Sequence, residues 1–119
     1  MTTHTTPQDI RPDELPGTIR SFLAAHAARE PGAAVRTFTP DAVVVDQDET
    51  FRGTEQVLDF LGNAGSEFTY TTELLSARSD GDSRWAVVNR IEGDFPGNVA
   101  DLTYRFTLVD DLVRELAIG

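Results

Sequence analysis

The spacing of apolar residues changes along this chain, from a helical period in the first half to a strand period in the second. Ile19, Phe22, Leu23 and His26 recur at i, i+3, i+4 and i+7, the stripe of one helix face. Asp13 precedes the stripe as an N-cap, and Pro16 fits the first turn. Pro31-Gly32 ends this helix and opens a short second one with Val35 and Phe38 on its buried side. Thr39-Pro40-Asp41 breaks that helix. The β-branched run Ala42 to Asp46 predicts a strand that ends in the acidic loop Asp46-Gln47-Asp48-Glu49. Phe51-Arg52-Gly53 is a short extended stub. Thr54 then caps a third helix bearing Val57, Leu58 and Leu61, closed by Gly62-Asn63.

Beyond residue 66 the period falls to two. Glu67 to Arg78 alternates Phe68, Tyr70, Thr72 and Leu74 against Thr69, Thr71 and Glu73, and Ser79-Asp80-Gly81-Asp82 turns the chain. Arg84 to Phe95 and Val99 to Val109 flank Pro96-Gly97-Asn98, and Leu112 to Ile118 follows Asp110-Asp111. Long strands joined by tight turns predict an antiparallel meander. One face of the later strand carries Leu102, Tyr104, Phe106 and Leu108; the richer row of its neighbour is Trp85, Val87, Asn89, Ile91 and Phe95. Opposed residues share a face, so matching these rows requires an even-length connection at Pro96-Gly97.

Residues 1–12 are polar, contain Pro7 and Pro12, and show no periodicity, so they are expected to form a flexible arm ahead of one domain over residues 13–119. Composition narrows the chemistry. With no cysteine, disulfides, thiolate catalysis and cysteine-ligated metals are excluded, and His4 and His26 alone do not make a histidine-rich metal site. The net charge is −10 and every cation is an arginine. Excess negative charge repels phosphate backbones and anionic lipid, so neither nucleic acid nor a membrane is expected as a partner. No apolar run has membrane-spanning length, and the start lacks the apolar stretch of a signal peptide, which makes the cytoplasm the expected location. No Gly-rich phosphate loop or serine elbow is present, and Asp80-Gly81-Asp82 lacks the later ligands of a calcium loop, so no cofactor or metal is expected.

Helix, short helix, strand with a terminal acid, helix and long meander resemble the nuclear transport factor 2-like superfamily. The chain is similar to its SnoaL-like and ketosteroid isomerase-like members. Phe22-Leu23-Ala24-Ala25 before Pro31-Gly32, Phe38 to Asp46, Phe51-Arg52-Gly53, and Tyr104-Arg105-Phe106 with Val113-Arg114-Glu115 carry the likeness, which covers about residues 15–118. The implied fold is a cone-shaped α+β barrel with three N-terminal helices on a curved, mostly antiparallel sheet. Ketosteroid isomerases take a proton from beside a carbonyl with an aspartate and stabilise the enolate with a tyrosine and a protonated aspartic acid. Asp46 matches the base. The tyrosine position is Phe22, and the second acid falls at Leu102, with Asp101 one step away on the opposite face. Without both donors, steroid isomerisation by that mechanism is not expected.

The candidate catalytic residues are therefore Asp46 and His26, an acid/base couple if the fold brings them together. Phe22, Trp85, Asn89, Tyr104 and Phe106 are candidate ligand-binding residues, with Asn89 and Tyr104 supplying polar atoms on apolar rows. Asp46 also reads as the first residue of a solvated acidic turn, and His26 as a satisfied histidine at the core edge. The implied ligand is a small apolar or polycyclic, carbonyl-bearing metabolite. A pocket lined by Asp46 and one or two donors favours isomerase-, cyclase- or hydratase-like proton transfer. Closure by Phe22, Trp85 and Phe106 favours a non-catalytic binding or assembly module. In either case the mixed face of Val88, Arg90, Thr103, Arg105 and Thr107 suits a homodimer contact through the sheet.

Overall fold

A computed structural model of the chain describes residues 8–63, 70–81 and 83–119. His4 in the arm, Phe68 in the strand and Asp82 in the turn lie outside the described residues. Strands β1 (Gln8–Ile10), β2 (Phe38–Asp46), β3 (Glu49–Arg52), β4 (Tyr70–Ser79), β5 (Arg84–Gly93), β6 (Val99–Val109) and β7 (Leu112–Ile118) accompany helices α1 (Gly17–Ala27), α2 (Pro31–Val35) and α3 (Gly53–Asn63). The strands form one sheet in the order β1-β4-β5-β6-β7-β2-β3. Among the pairings described, only β2 with β7 is parallel.

The class is thus α+β, but two expectations need correction. The sheet is open, with β1 and β3 at its edges, so it is not a closed barrel. The third helix follows β3 rather than belonging to an N-terminal group. In the chain it lies between β3 and β4, strands that β5, β6, β7 and β2 separate in the sheet, so a hairpin cannot join them.

The elements form where the sequence supports them. Helix α1 packs Ile19, Phe22 and Ala25 inward. It ends in a Schellman motif: Arg29 takes a left-handed φ of 58°, the Glu30 N–H donates to the Ala25 carbonyl at 2.9 Å, and the Arg29 N–H to that of His26 at 3.1 Å. Pro31 occupies the first turn of α2, where its missing N–H costs nothing. On α3 the buried residues are Val57, Phe60 and Leu61; Leu58, expected on that stripe, is 40% exposed. Thr39-Pro40-Asp41 belongs to β2 as an irregular stretch between Phe38, opposite Val113, and Val43, opposite Glu115.

The arm was expected to span residues 1–12, yet Gln8–Ile10 pair antiparallel with Ser79–Ala77, and Ile10 packs against the core. A 3-10 turn at Pro12–Glu14 follows, and Asp13 sits inside it rather than capping α1. The register between β5 and β6 is the expected one. Trp85 faces Phe106, Val87 faces Tyr104 and Asn89 faces Leu102. The Gly93 N–H donates to the Asn98 carbonyl at 2.9 Å, which brackets the even connection Asp94-Phe95-Pro96-Gly97. Among the described residues, no helix is long and apolar enough to cross a membrane.

Candidate functional site

Alternation along β2 sends Ala42 and Val44 into the core, and Asp46 continues that inward row at the end of the strand. Asp46 is opposite Ile118, Ile118 is opposite Tyr104, and Tyr104 is opposite Val87. A carboxylate, an aliphatic side chain and a phenol thus lie side by side on β2, β7 and β6, about 5 Å apart per strand. From above the sheet, α1 brings His26 over Tyr104, ring centroids 6.2 Å apart and edge to face.

These groups line a cavity of about 270 Å³. Asp46, Gln47, His26, Tyr70 and Tyr104 supply its polar wall; Phe60, Ile91, Phe95, Pro96, Leu102 and Ile118 supply the apolar one. A second cavity of about 240 Å³ is also bordered by His26, Tyr70 and Tyr104 and lies between α1 and the strands β4 and β5, beside Leu23, Ala24, Thr72, Leu74 and Asn89. A larger depression of about 570 Å³ lies on the outer side of Asp46, walled by Asp48, Glu49 and Asp59. It is open and acidic, and among the described residues no cluster of three or more histidines or acids is arranged to hold a metal. Asp46 stands between the two environments.

The surroundings set the protonation of each group. Burial raises the Asp46 carboxyl above its usual 3.8, and Glu49 adds to the rise through like charge. Burial lowers His26, helped by the Arg29 cation, so its imidazole stays neutral at pH 7. Burial, then Tyr70 and Asp46, push the Tyr104 phenol far above 10, which keeps it a hydrogen-bond donor. Among the described residues, the side chains of Asp46, His26, Asn89 and Tyr104 have no protein hydrogen-bond partner. Unpaired polar groups around an apolar space can bind a ligand's polar atoms.

Three candidate ligand contacts do not line this cavity. Phe22 is fully buried, stacked on His26 at 5.3 Å and set edge-on against Phe38 and Phe106 at 5.5 and 5.6 Å. Phe106 is 1% exposed in the same cluster. Trp85, half-buried at the rim, borders a separate depression with Arg78, Arg84 and Arg105. Phe22 and Phe106 fill the space under α1, so the cavity opens further along β6, beside Tyr104 and Leu102. Phe60 and Tyr70 are lining residues that were not singled out as candidates, although Phe60 stands three residues after Val57 on the α3 stripe. Asp101, the misplaced acid, points outward and pairs with Arg90 at 2.9 Å, while Leu102 lines the cavity.

No protein-family model matches the chain, and no curated protein matches it significantly. Solved structures do. A polyketide cyclase candidate from Sinorhizobium meliloti is 31% identical, superposes with a TM-score of 0.84, and is matched over 92% of this chain and 100% of its own. A protein from Catenulispora acidiphila with a ketosteroid isomerase-like fold, solved with trimethylamine, is 14% identical with a TM-score of 0.75, over 87% of this chain and 85% of its own. An NTF2-like protein from Cytophaga hutchinsonii is 10% identical at a TM-score of 0.69, over 86% and 85%. The last two establish the fold alone. The open sheet with its inward terminal acid and the full-length 31% relative lead to one conclusion: the chain belongs to the nuclear transport factor 2-like superfamily, with the SnoaL-like and ketosteroid isomerase-like proteins.

Proposed function

We propose that the chain binds a small apolar, carbonyl-bearing metabolite and moves a proton on it without a cofactor. The observation that carries this reading is the cavity itself, in which a carboxylate of raised pKa, a protonated phenol and a neutral imidazole share one apolar space. The Asp46 carboxylate takes a proton from the carbon beside the carbonyl, the C–H pair moves to form the C=C bond of the enolate, and charge collects on oxygen. Tyr104 O–H or His26 N–H donates to that oxygen. Return of the proton to the same or another carbon completes exchange or isomerisation; attack of the enolate on a second carbonyl gives cyclisation. The 31% identical relative carries a polyketide cyclase designation, and such a cyclisation starts with the same proton abstraction.

The direct test uses 2-tetralone, a bicyclic ketone with acidic protons beside its carbonyl. In D₂O at pH 7, the protein is expected to accelerate loss of those proton signals in the NMR spectrum above the buffer rate. A rate equal to that of buffer at saturating ketone contradicts the reading.

The outer sheet face presents Val43, Val45, Val88 and Thr103, partly buried, beside the exposed Arg90 and Arg105. This mixed surface suits a self-complementary contact between two copies, and light scattering at micromolar concentration is expected to give twice the 13.0 kDa chain mass. A monomer contradicts it.

A further inference from the structure

Alternation fixes which side chains share the outer face of the sheet. On β5 they run from Arg84 through Val88 to Glu92, and on β6, opposite them, from Thr107 through Thr103 to Val99. The Val88–Thr103 pair stands midway between the two ends. About that centre, charge is arranged with opposite signs. Arg84 and Arg105 lie on one side, exposed and with no ion-pair partner among the described residues. Asp80 is held by Arg78 at 2.8 Å, and Glu115, opposite Thr107, pairs with neither of them. On the other side Asp101 binds Arg90 at 2.9 Å, while Glu73, opposite Arg90, and Glu92 leave that end acidic.

A chain of net charge −10 repels its own copy, so a self-contact forms where charges complement each other. Two sheets packed face to face sit about 10 Å apart, near enough for arginine and glutamate side chains to meet across the gap. A two-fold axis in the plane of such a contact has two simple orientations. Running along the strands, it sets each cationic end on the cationic end of the other copy. Running across the strands at Val88 and Thr103, it lays Arg84 over Glu92 of the second copy and Arg105 over its Asp101. The face from β4 to β2 over this length measures roughly 24 by 27 Å, so the contact would bury about 1,300 Å² over both copies, within the range of stable interfaces.

We propose that two copies of the chain associate through this face with their strands antiparallel, about a two-fold axis at Val88 and Thr103. Ion pairs between copies, Arg84 with Glu92 and Arg105 with Asp101, select that orientation, and each is made twice. This rests on the dimer reading above and adds to it the arrangement of the copies and the residues that set it.

Sedimentation of the full chain at about 0.15 M salt, where distant charges are screened, gives the dissociation constant. Arg84→Glu sets like charges against each other at two symmetric places and is expected to weaken the dimer about ten- to hundredfold. Arg36→Glu, an exposed site at the end of α2, changes the net charge equally and should leave the constant within about twofold. Adding Glu92→Arg to Arg84→Glu should restore most of the affinity, because the two ends have then exchanged signs. The absence of cysteine allows an independent reading of orientation. Thr107→Cys and Val99→Cys mark the two ends of β6 without altering a charge. Chains carrying one should be cross-linked by a short bismaleimide to chains carrying the other, and neither to its own kind. A native dimer that tolerates Arg84→Glu, that Glu92→Arg does not rescue, or whose Thr107→Cys chains cross-link with one another overturns the orientation and leaves the dimer reading standing. A native protein that is monomeric ends both.

Discussion

Replacing Asp46 by asparagine is expected to reduce the exchange of 2-tetralone protons by about two to four orders of magnitude, the usual contribution of a positioned general base. The amide keeps the shape of the carboxyl and loses its basic lone pair. The same substitution should leave the fold as stable as before, or more so, at pH 7. A carboxyl whose folded pKa is raised favours folding in its protonated form; that advantage is complete below the unfolded value near 3.8 and is lost as pH rises through the folded pKa. At neutral pH the ionised, half-buried carboxylate therefore weakens the fold, and asparagine removes that cost. The gain in melting temperature should shrink as the buffer is made more acidic. An Asp46→Asn protein that exchanges protons at the native rate would place the base elsewhere.

The largest loss of stability is expected at Phe22. Phe22→Ala should destabilise the protein by about 3–5 kcal/mol, since it removes a fully buried ring and leaves a cavity among Phe38, Phe106 and His26. Against a total stability of roughly 5–15 kcal/mol this moves the urea midpoint far towards zero denaturant. Leu58→Ala provides the contrast. Leu58 is 40% exposed on α3, and its truncation should change stability by no more than about 0.5 kcal/mol. Similar losses at both positions would mean that the core is not centred under α1.

Those two residues also mark how far the sequence can be read. Phe22 sits on an unbroken stripe and was legible as core; Leu58 lies next to Val57, and adjacent apolar residues on a helix do not reveal which one faces inward. The β5–β6 register follows the phase that matches two long apolar rows, which the sequence favoured over a three-residue loop setting Arg90 and Glu92 over Tyr104. On β4 the apolar pair Leu74-Leu75 conceals a bulge: Leu74 faces Asn89 and Ser76 faces Val88, so Leu75 is extra and 40% exposed. Strand β1 is three residues long, too short to show alternation, and is held by pairing to Ser79–Ala77. At the site, His26, Asn89 and Tyr104 were legible as polar residues on apolar rows, whereas Asp46, at a strand end, read equally as the start of a solvated acidic turn. Phe22, Trp85 and Phe106 read both as core and as ligand contacts, because aromatic size does not tell which end of a sheet the helix covers.

Asp46 borders the apolar cavity closely enough for burial to oppose its ionisation. An NMR titration of its side-chain carboxyl carbon, with Asp46→Asn to assign the signal, tests this most directly. The midpoint is expected above 3.8, moving down towards that value in Glu49→Gln as the neighbouring charge is removed. A midpoint at or below 3.8 in the native protein would contradict it.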